Sequence, residues 1–307
     1  MIRKFINTLK TNPDFITLIK KLKSTSIIGL QGVPMFTVAV FFIEAIKKGS
    51  ITTRAASMSF KFFLALFPAI IFLFTLIPFI PVDNFQEELL SQLKIILPHD
   101  AYSLTISTIE DLVKNKQGSL LSIGFLSALY FAADGVNAIM DAFNESVYIS
   151  KTQSFLKKRL KAFMLTFIIS ILVISSVVAI VFGQLFLSFL LDKGFLVSLI
   201  SYYLLMFLNW IVIFILFYFT ISFLYYFGSA KKTKWKFFTV GSTVTTFLMI
   251  ITSIGFAWYI NNFGQYNKIY GSIGTLMVIM LWINLNSLLL LLGFELNTSI
   301  EEAKHEK

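Results

Sequence analysis

Long charge-free apolar stretches, each ended by charge or by Pro/Gly punctuation, divide most of this chain. Six of them reach the roughly 20 residues that a helix needs to cross a bilayer. They run approximately over 55–80, 118–140, 160–191, 195–227, 237–262 and 270–298. A seventh stretch, between Lys23 and Glu44, is interrupted by Ser24, Thr25, Ser26, Gly29, Gln31, Gly32 and Pro34, so its apolar core is only Met35 to Ile43. That is too short to span. Val33 to Lys47 therefore reads as an in-plane or re-entrant helix, with Lys47 and Lys48 where a helix dipole favours cations. Before it, Phe5, Ile6, Leu9, Phe15, Ile16, Ile19 and Leu22 recur at helical spacing among Lys and Arg, the pattern of a basic amphipathic segment lying on lipid headgroups.

Between the first two spans, 82–117 carries two further helical stripes. Phe85, Leu89, Leu93 and Ile96 form one, and Tyr102, Ile106, Ile109 and Val113 the other, with Pro98 as the break and Asp100 as an N-cap. This predicts an external two-helix cap, either a structural lid or the gate of an outward-facing cavity. The expected organisation is a cytoplasmic basic segment and in-plane helix over 1–50, a six-span all-α membrane domain over 51–299, and a cytoplasmic tail over 300–307.

Composition removes the soluble alternative. Of 307 residues, 57% are hydrophobic and 14% charged, and the mean hydropathy is +0.80, more apolar surface than one soluble core could hide. The net charge of +10 could suit nucleic acid or an anionic membrane surface, and placement decides between them. With six spans, twenty of the 26 Lys and Arg fall on the side of both termini. The positive-inside rule then makes that side cytoplasmic, and the basic clusters flanking spans need no nucleic acid to explain them. Anionic lipid headgroups are the expected partners, and homo-oligomers remain open. No cleavable signal peptide opens the sequence.

The chemistry of catalysis is sparse. With no Cys, thiolate metal sites and thiol nucleophiles are absent. His99 and His305 fall on opposite sides of the expected membrane, and no zinc-protease, nucleophile-elbow or P-loop motif occurs. No catalytic, cofactor-binding or metal-ligating set is expected. Asp134, Asp141, Glu145 and Glu295 supply oxygen ligands without a recognisable geometry.

Ionisable groups inside spans point to function by default. Arg54 and Lys61 stand seven residues apart on one helix face, with Arg54 able to sit at the interface and Lys61 deeper. Asp134, Asn137, Asp141 and Glu145 form a polar stripe on the second span, and Asp134 is the expected partner of Lys61. On the last span Asn284, Ser287 and Glu295 share a face. Together Arg54, Lys61, Asp134, Asn137, Asp141, Asn284, Ser287 and Glu295 make a candidate polar seam opening toward the cytoplasm. A transporter would have the seam line one water-accessible cavity; the bland reading is interhelical glue.

Three segments resemble the YihY/BrkB family of polytopic bacterial inner-membrane proteins. Thr52 to Pro78 carries small residues and a mid-span Pro68, although Phe60 and Lys61 depart from the family pattern. Leu129 to Ile149 places Asn144 on the matching Asn. Tyr270 to Asn297 brings Tyr270, Gly271, Ser272, Trp282, Gly293, Glu295 and Asn297 into register. The resemblance covers most of the chain from about residue 50 and implies six spans in a bacterial cytoplasmic membrane. It implies little about function. An old "ribonuclease BN" label attached to the family finds no metal site or base-stacking platform here. The expectation is transport or flipping of a lipid or anionic envelope-related substrate. The alternatives are a non-catalytic scaffold of envelope biogenesis and, remotely, a metal-dependent membrane hydrolase.

Overall fold

A backbone in hydrocarbon must satisfy its own N–H and C=O groups, and uninterrupted apolar stretches do so by closing i to i−4 hydrogen bonds. In the computed structural model, residues 32–48, 50–79, 90, 109–112, 114–146, 154–192, 199–230, 238–263 and 272–305 are described, and no strand occurs among them. The helices are α1 (Met35–Lys48), α2 (Ile51–Leu76, continued by a 3₁₀ turn, Ile77–Phe79), α3 (Gly118–Asn144), α4 (Phe155–Asp192), α5 (Leu199–Gly228), α6 (Val240–Phe263) and α7 (Ser272–His305). Six of them, α2 to α7, are long and apolar enough to cross a membrane, and α1 is not. At about 1.5 Å per residue, the 14 residues of α1 are shorter than the hydrocarbon thickness of roughly 30 Å.

The six long helices form a closed ring in chain order. Each packs on its neighbours in sequence, and α7 returns to pack on α2. Small residues allow the close approaches, as where Gly135 of α3 lies under the Phe62 ring of α2 with no room for a freely placed Cβ (3.0 Å). Outward faces carry exposed apolar side chains such as Leu126, Phe167, Ile251 and Ile254, as lipid contact requires.

Several ends differ from the sequence expectation, each for a packing reason. The helix of the first span begins at Ile51, and Arg54 is buried inside the bundle instead of sitting at an interface. The third begins at Phe155, taking Lys157, Lys158 and Arg159 into the helix. The last runs to His305, so 300–305 is helix and not a free tail. Its extra turns are held by α1, where Val33 and Val38 pack on Ile300 and Ala303. Between α1 and α2 the chain turns through Ser50, whose φ of 47° is positive. The basic segment 1–31 lies outside the described residues, as does most of the expected cap. Of the cap, Leu90 packs on Ile77, with Phe74 and Ile109 against them.

Candidate functional site

The ends of α2, α3, α4 and α7 that carry Arg54, Asp141, Lys158 and Glu295 lie together, and this is called the basic end below. Here Arg54 Nη2 donates to Glu295 Oε1 at 2.6 Å, and its Nη1 donates to the Ala142 carbonyl at 2.6 Å. The second carboxylate oxygen accepts from Ser146 Oγ at 2.7 Å and from Thr298 Oγ1 at 3.3 Å. Arg54 is 4% exposed and Glu295 0%. A planar guanidinium suits this task because one fork can reach a carboxylate and a carbonyl at once. The pair fastens α2, α3 and α7 at one point. Arg54 Nε is buried with no partner among the described residues.

Beside this pair lies an aromatic layer. Phe143 and Phe294 stack with centroids 4.0 Å apart, and Tyr225 meets Phe143 edge-on at 5.6 Å. The Tyr225 hydroxyl donates to the Leu290 carbonyl at 2.7 Å and lies 2.7 Å from Thr245 Oγ1. A buried hydroxyl must find partners, and these tie α5 to α6 and α7.

Beyond the layer opens a chamber of about 360 Å³. Its walls come from α2 (Met58, Phe62), α3 (Ile139), α5 (Phe217, Ile221), α6 (Met249) and α7 (Trp282, Ile283). Among the described residues, α4 contributes no wall. Of the polar residues on the lining, Thr220 Oγ1 donates to the Leu216 carbonyl and Asn286 Nδ2 to the Trp282 carbonyl. Each of these gives a hydrogen bond to its own helix, and the rest of the lining except Ser287 is apolar.

The polar seam therefore divides. Ser287 lines the chamber, whereas Asn284 Nδ2 donates to Ser59 Oγ of α2 at 3.2 Å and Glu295 is enclosed by Arg54, Ser146 and Thr298. Lys61 Nζ stands 3.3 Å from Asp134 Oδ2, and Arg159 Nη1 of α4 takes the other oxygen, Oδ1, at 3.1 Å. Asn137 donates to Asp141, which is also paired with Lys158. None of Lys61, Asp134, Asn137, Asn284 and Glu295 is among the described residues that line this chamber. The helical wheel put Arg54 and Lys61 on one face, but Arg54 turns inward to α7 and Lys61 toward α3.

Sequence reasoning missed Arg159 as a partner because it stood among basic residues attributed to topology. Its only signal was a position one helical hairpin from Asp134. Glu145 ends α3, its backbone N–H donating to the Asp141 carbonyl. Because Asp134 has two cations, Lys61→Met is expected to leave a neutral Arg159–Asp134 pair and change the thermal midpoint little. Asp134→Asn leaves two cations facing each other and costs about 1 kcal/mol at this partial exposure. Adding Lys61→Met to Asp134→Asn then recovers stability, and strictly additive midpoints in the four-member set would reject the three-charge arrangement.

The motif residues of the last span mostly hold helices together. Asn297 Oδ1 accepts from the Gly241 N–H at 2.8 Å, and its Nδ2 donates to Thr239 Oγ1 at 2.9 Å. It thus satisfies an orphan N–H at the start of α6. Asn144 Oδ1 accepts from the Ala230 N–H at 2.8 Å, joining the ends of α3 and α5. Pro68 sits inside α2, Ser272 opens α7, and Trp282 is 42% exposed on the chamber wall. Tyr270 and Gly271 lie outside the described residues. Among the described residues, no group of three or more His, Asp or Glu stands close enough to hold a metal ion.

Comparison with known proteins adds a family. The sequence model described as "Virulence factor BrkB" matches residues 42–307. A Bacillus subtilis protein carrying the name ribonuclease-like protein YfkH is 30% identical over 256 residues, covering 82% of this chain and 90% of its own. The UPF0761 membrane protein MS0032 of Mannheimia succiniciproducens is 24% identical over 87% of this chain and 90% of its own. The UPF0761 membrane protein NT05HA_1801 of Aggregatibacter aphrophilus is 23% identical over 88% of this chain and 94% of its own. No solved structure matches. With a family match that takes in all six long apolar helices, the chain belongs to the BrkB family of multi-pass membrane proteins.

Proposed function

We propose that this protein handles membrane lipid, taking an acyl chain into the chamber and moving the lipid between leaflets, with the basic end facing the cytoplasm. The observation that carries this reading is the chamber itself. Its volume of about 360 Å³ lies within the range of small-molecule sites, roughly 300–1,000 Å³. Its lining is almost wholly apolar, which suits an acyl chain and not a hydrated solute. The Phe143–Phe294–Tyr225 layer and the Arg54–Glu295 pair close it at the basic end, as a path that is shut on one side would require. Twenty of the 26 basic residues in the sequence fall on that side in the six-span topology, which supports a cytoplasmic orientation and an anionic lipid as the substrate.

The test is leaflet exchange. Purified full-length protein is reconstituted into phosphatidylcholine vesicles containing a trace of phosphatidylglycerol with a fluorescent acyl chain. Dithionite then bleaches the outer-leaflet label, and the slow phase reports exchange. Exchange about tenfold faster than in protein-free vesicles is expected, and Ile283→Trp, which fills the chamber from α7, should return it toward the background. Exchange equal to that of protein-free vesicles, from protein shown to be folded, rejects the reading in favour of a scaffold.

A further inference from the structure

Three charges on the outer flank of α2, α3 and α4 do not balance. Asp134 has one carboxylate, and its two oxygens are each taken by a cation, Lys61 on one side and Arg159 on the other. Two turns of α3 nearer the basic end, Asp141 pairs with Lys158. Among the described residues, the group of Lys61, Asp134 and Arg159 therefore carries a surplus of one positive charge. That surplus lies ten residues inside α2, where an uncompensated charge is costly. It is also reachable, because the side chains of Lys61, Asp134 and Arg159 are 34%, 27% and 19% exposed.

The unused donors match a particular class of ligand. Lys61 has three N–H groups and Arg159 five, and Asp134 accepts from only part of them. What such a pair lacks is an anion with several oxygens, and phosphate offers them in the geometry that Arg recognises well. The surroundings say what the phosphate is attached to. Moving away from the basic end along the same helix faces, Lys61 is followed by Leu64, Asp134 by Tyr130 and Leu126, and Arg159 by Phe163 and Phe167. Leu64, Tyr130, Leu126 and Phe167 are all exposed apolar groups. The Arg159 guanidinium lies over the Tyr130 ring at 4.7 Å and the Phe163 ring at 5.4 Å, which marks where charge gives way to hydrocarbon. Charge toward the basic end and exposed apolar columns beyond it repeat the order of a phospholipid, headgroup then tails.

We propose that Lys61 and Arg159 form a binding site for the phosphate of an anionic phospholipid, held on the lipid-facing flank of α2–α3–α4 and separate from the chamber. Asp134 sets the two cations apart and competes with the ligand for them. The site does not depend on lipid movement through the chamber, and α4, which supplies Arg159, contributes no described residue to the chamber wall.

The test is lipid binding to the purified full chain, read by native mass spectrometry as a titration with phosphatidylglycerol. Lys61→Met and Arg159→Met are each expected to weaken the first phosphatidylglycerol about tenfold. Lys61→Met should do so without losing thermal stability, since the Arg159–Asp134 pair remains. Asp134→Asn is expected to bind phosphatidylglycerol severalfold more tightly although it is less stable, an opposition that a merely structural cluster would not produce. Inorganic phosphate at 10 mM should leave the bound lipid in place; its displacement would make the ligand free phosphate and overturn the lipid assignment. Ile283→Trp should bind as wild type does. Loss of binding in Ile283→Trp with full binding in Lys61→Met would place the lipid in the chamber and overturn the proposal, as would wild-type affinity in a Lys61→Met, Arg159→Met double variant.

Discussion

Glu295→Gln is expected to destabilise the protein by about 3–5 kcal/mol, the usual cost of removing one partner from a buried ion pair. The reason lies in what is left behind. Arg54 is 4% exposed and cannot shed its proton, so without the carboxylate a full positive charge stays among Ala55, Met58, Phe143 and Phe294. Arg54→Met leaves the opposite problem, because Glu295 at 0% exposure keeps only Ser146 and Thr298 and loses its counter-charge. Arg54→Lys should also lose stability, since one ammonium cannot reach both the Ala142 carbonyl and Glu295 as the guanidinium fork does. The decisive variant is Arg54→Met with Glu295→Leu. Two apolar side chains of similar volume remove both charges together, and most of the lost stability should return. Thermal midpoints of wild type, Arg54→Met, Glu295→Leu and the double variant, purified in one detergent, check this. Single-variant losses that simply add in the double variant would show that the two residues act independently.

That pair also marks the limit of what could be read from residues alone. Arg54 stood at the edge of a charge-free stretch, where a cation at the headgroup level is ordinary, and Glu295 stood near the opposite end of the last one. Nothing in either segment says that α7 returns to close the ring against α2. That is a fact of helix order, and hydropathy carries no information about which helix neighbours which. The spans themselves were legible for the opposite reason, because the absence of water forces each apolar stretch to be a helix wherever it is placed. Lys61 and Asp134 were expected as partners from their depth, since two opposite charges at one level of adjacent spans have few other partners, and they stand 3.3 Å apart. Arg159 was not found, because its helix was expected to begin at residue 160. The chamber left no trace in the sequence. Met58, Ile139, Ile221 and Ile283 look like any lipid-facing residues until the ring turns them inward.

Gly293→Ala is the second change expected to be severe, and the argument is steric. A Cβ built at Gly293 would fall within bonding distance of Thr245 Oγ1 and 2.5 Å from the Tyr225 hydroxyl, with the Gly241 carbonyl at 2.9 Å. The converse holds at Gly241, whose Cβ would run into the Gly293 carbonyl and meet Asn297 at 2.5 Å. The two glycines thus let the α6 and α7 backbones touch; turning Thr245 and Tyr225 would move two of the clashing atoms, but the Gly241 backbone carbonyl would stay at 2.9 Å. One methyl must therefore push the helices apart. That also breaks the hydrogen bonds from Tyr225 to the Leu290 carbonyl and from the Gly241 N–H to Asn297. Overpacking of this kind costs about 1–3 kcal/mol, and each buried hydrogen bond lost adds about 1 kcal/mol. A total near 4 kcal/mol should remove most folded protein from the membrane fraction. Thr245→Ala added to Gly293→Ala deletes the nearest clashing atom and should restore part of the yield, but not all of it, because the Gly241 carbonyl remains. If the helices part, the α6 and α7 walls of the chamber part with them, so lipid exchange in the rescued double variant should fall further than its stability does. Yield and exchange equal to wild type in Gly293→Ala alone would mean that α6 and α7 do not meet at this crossing.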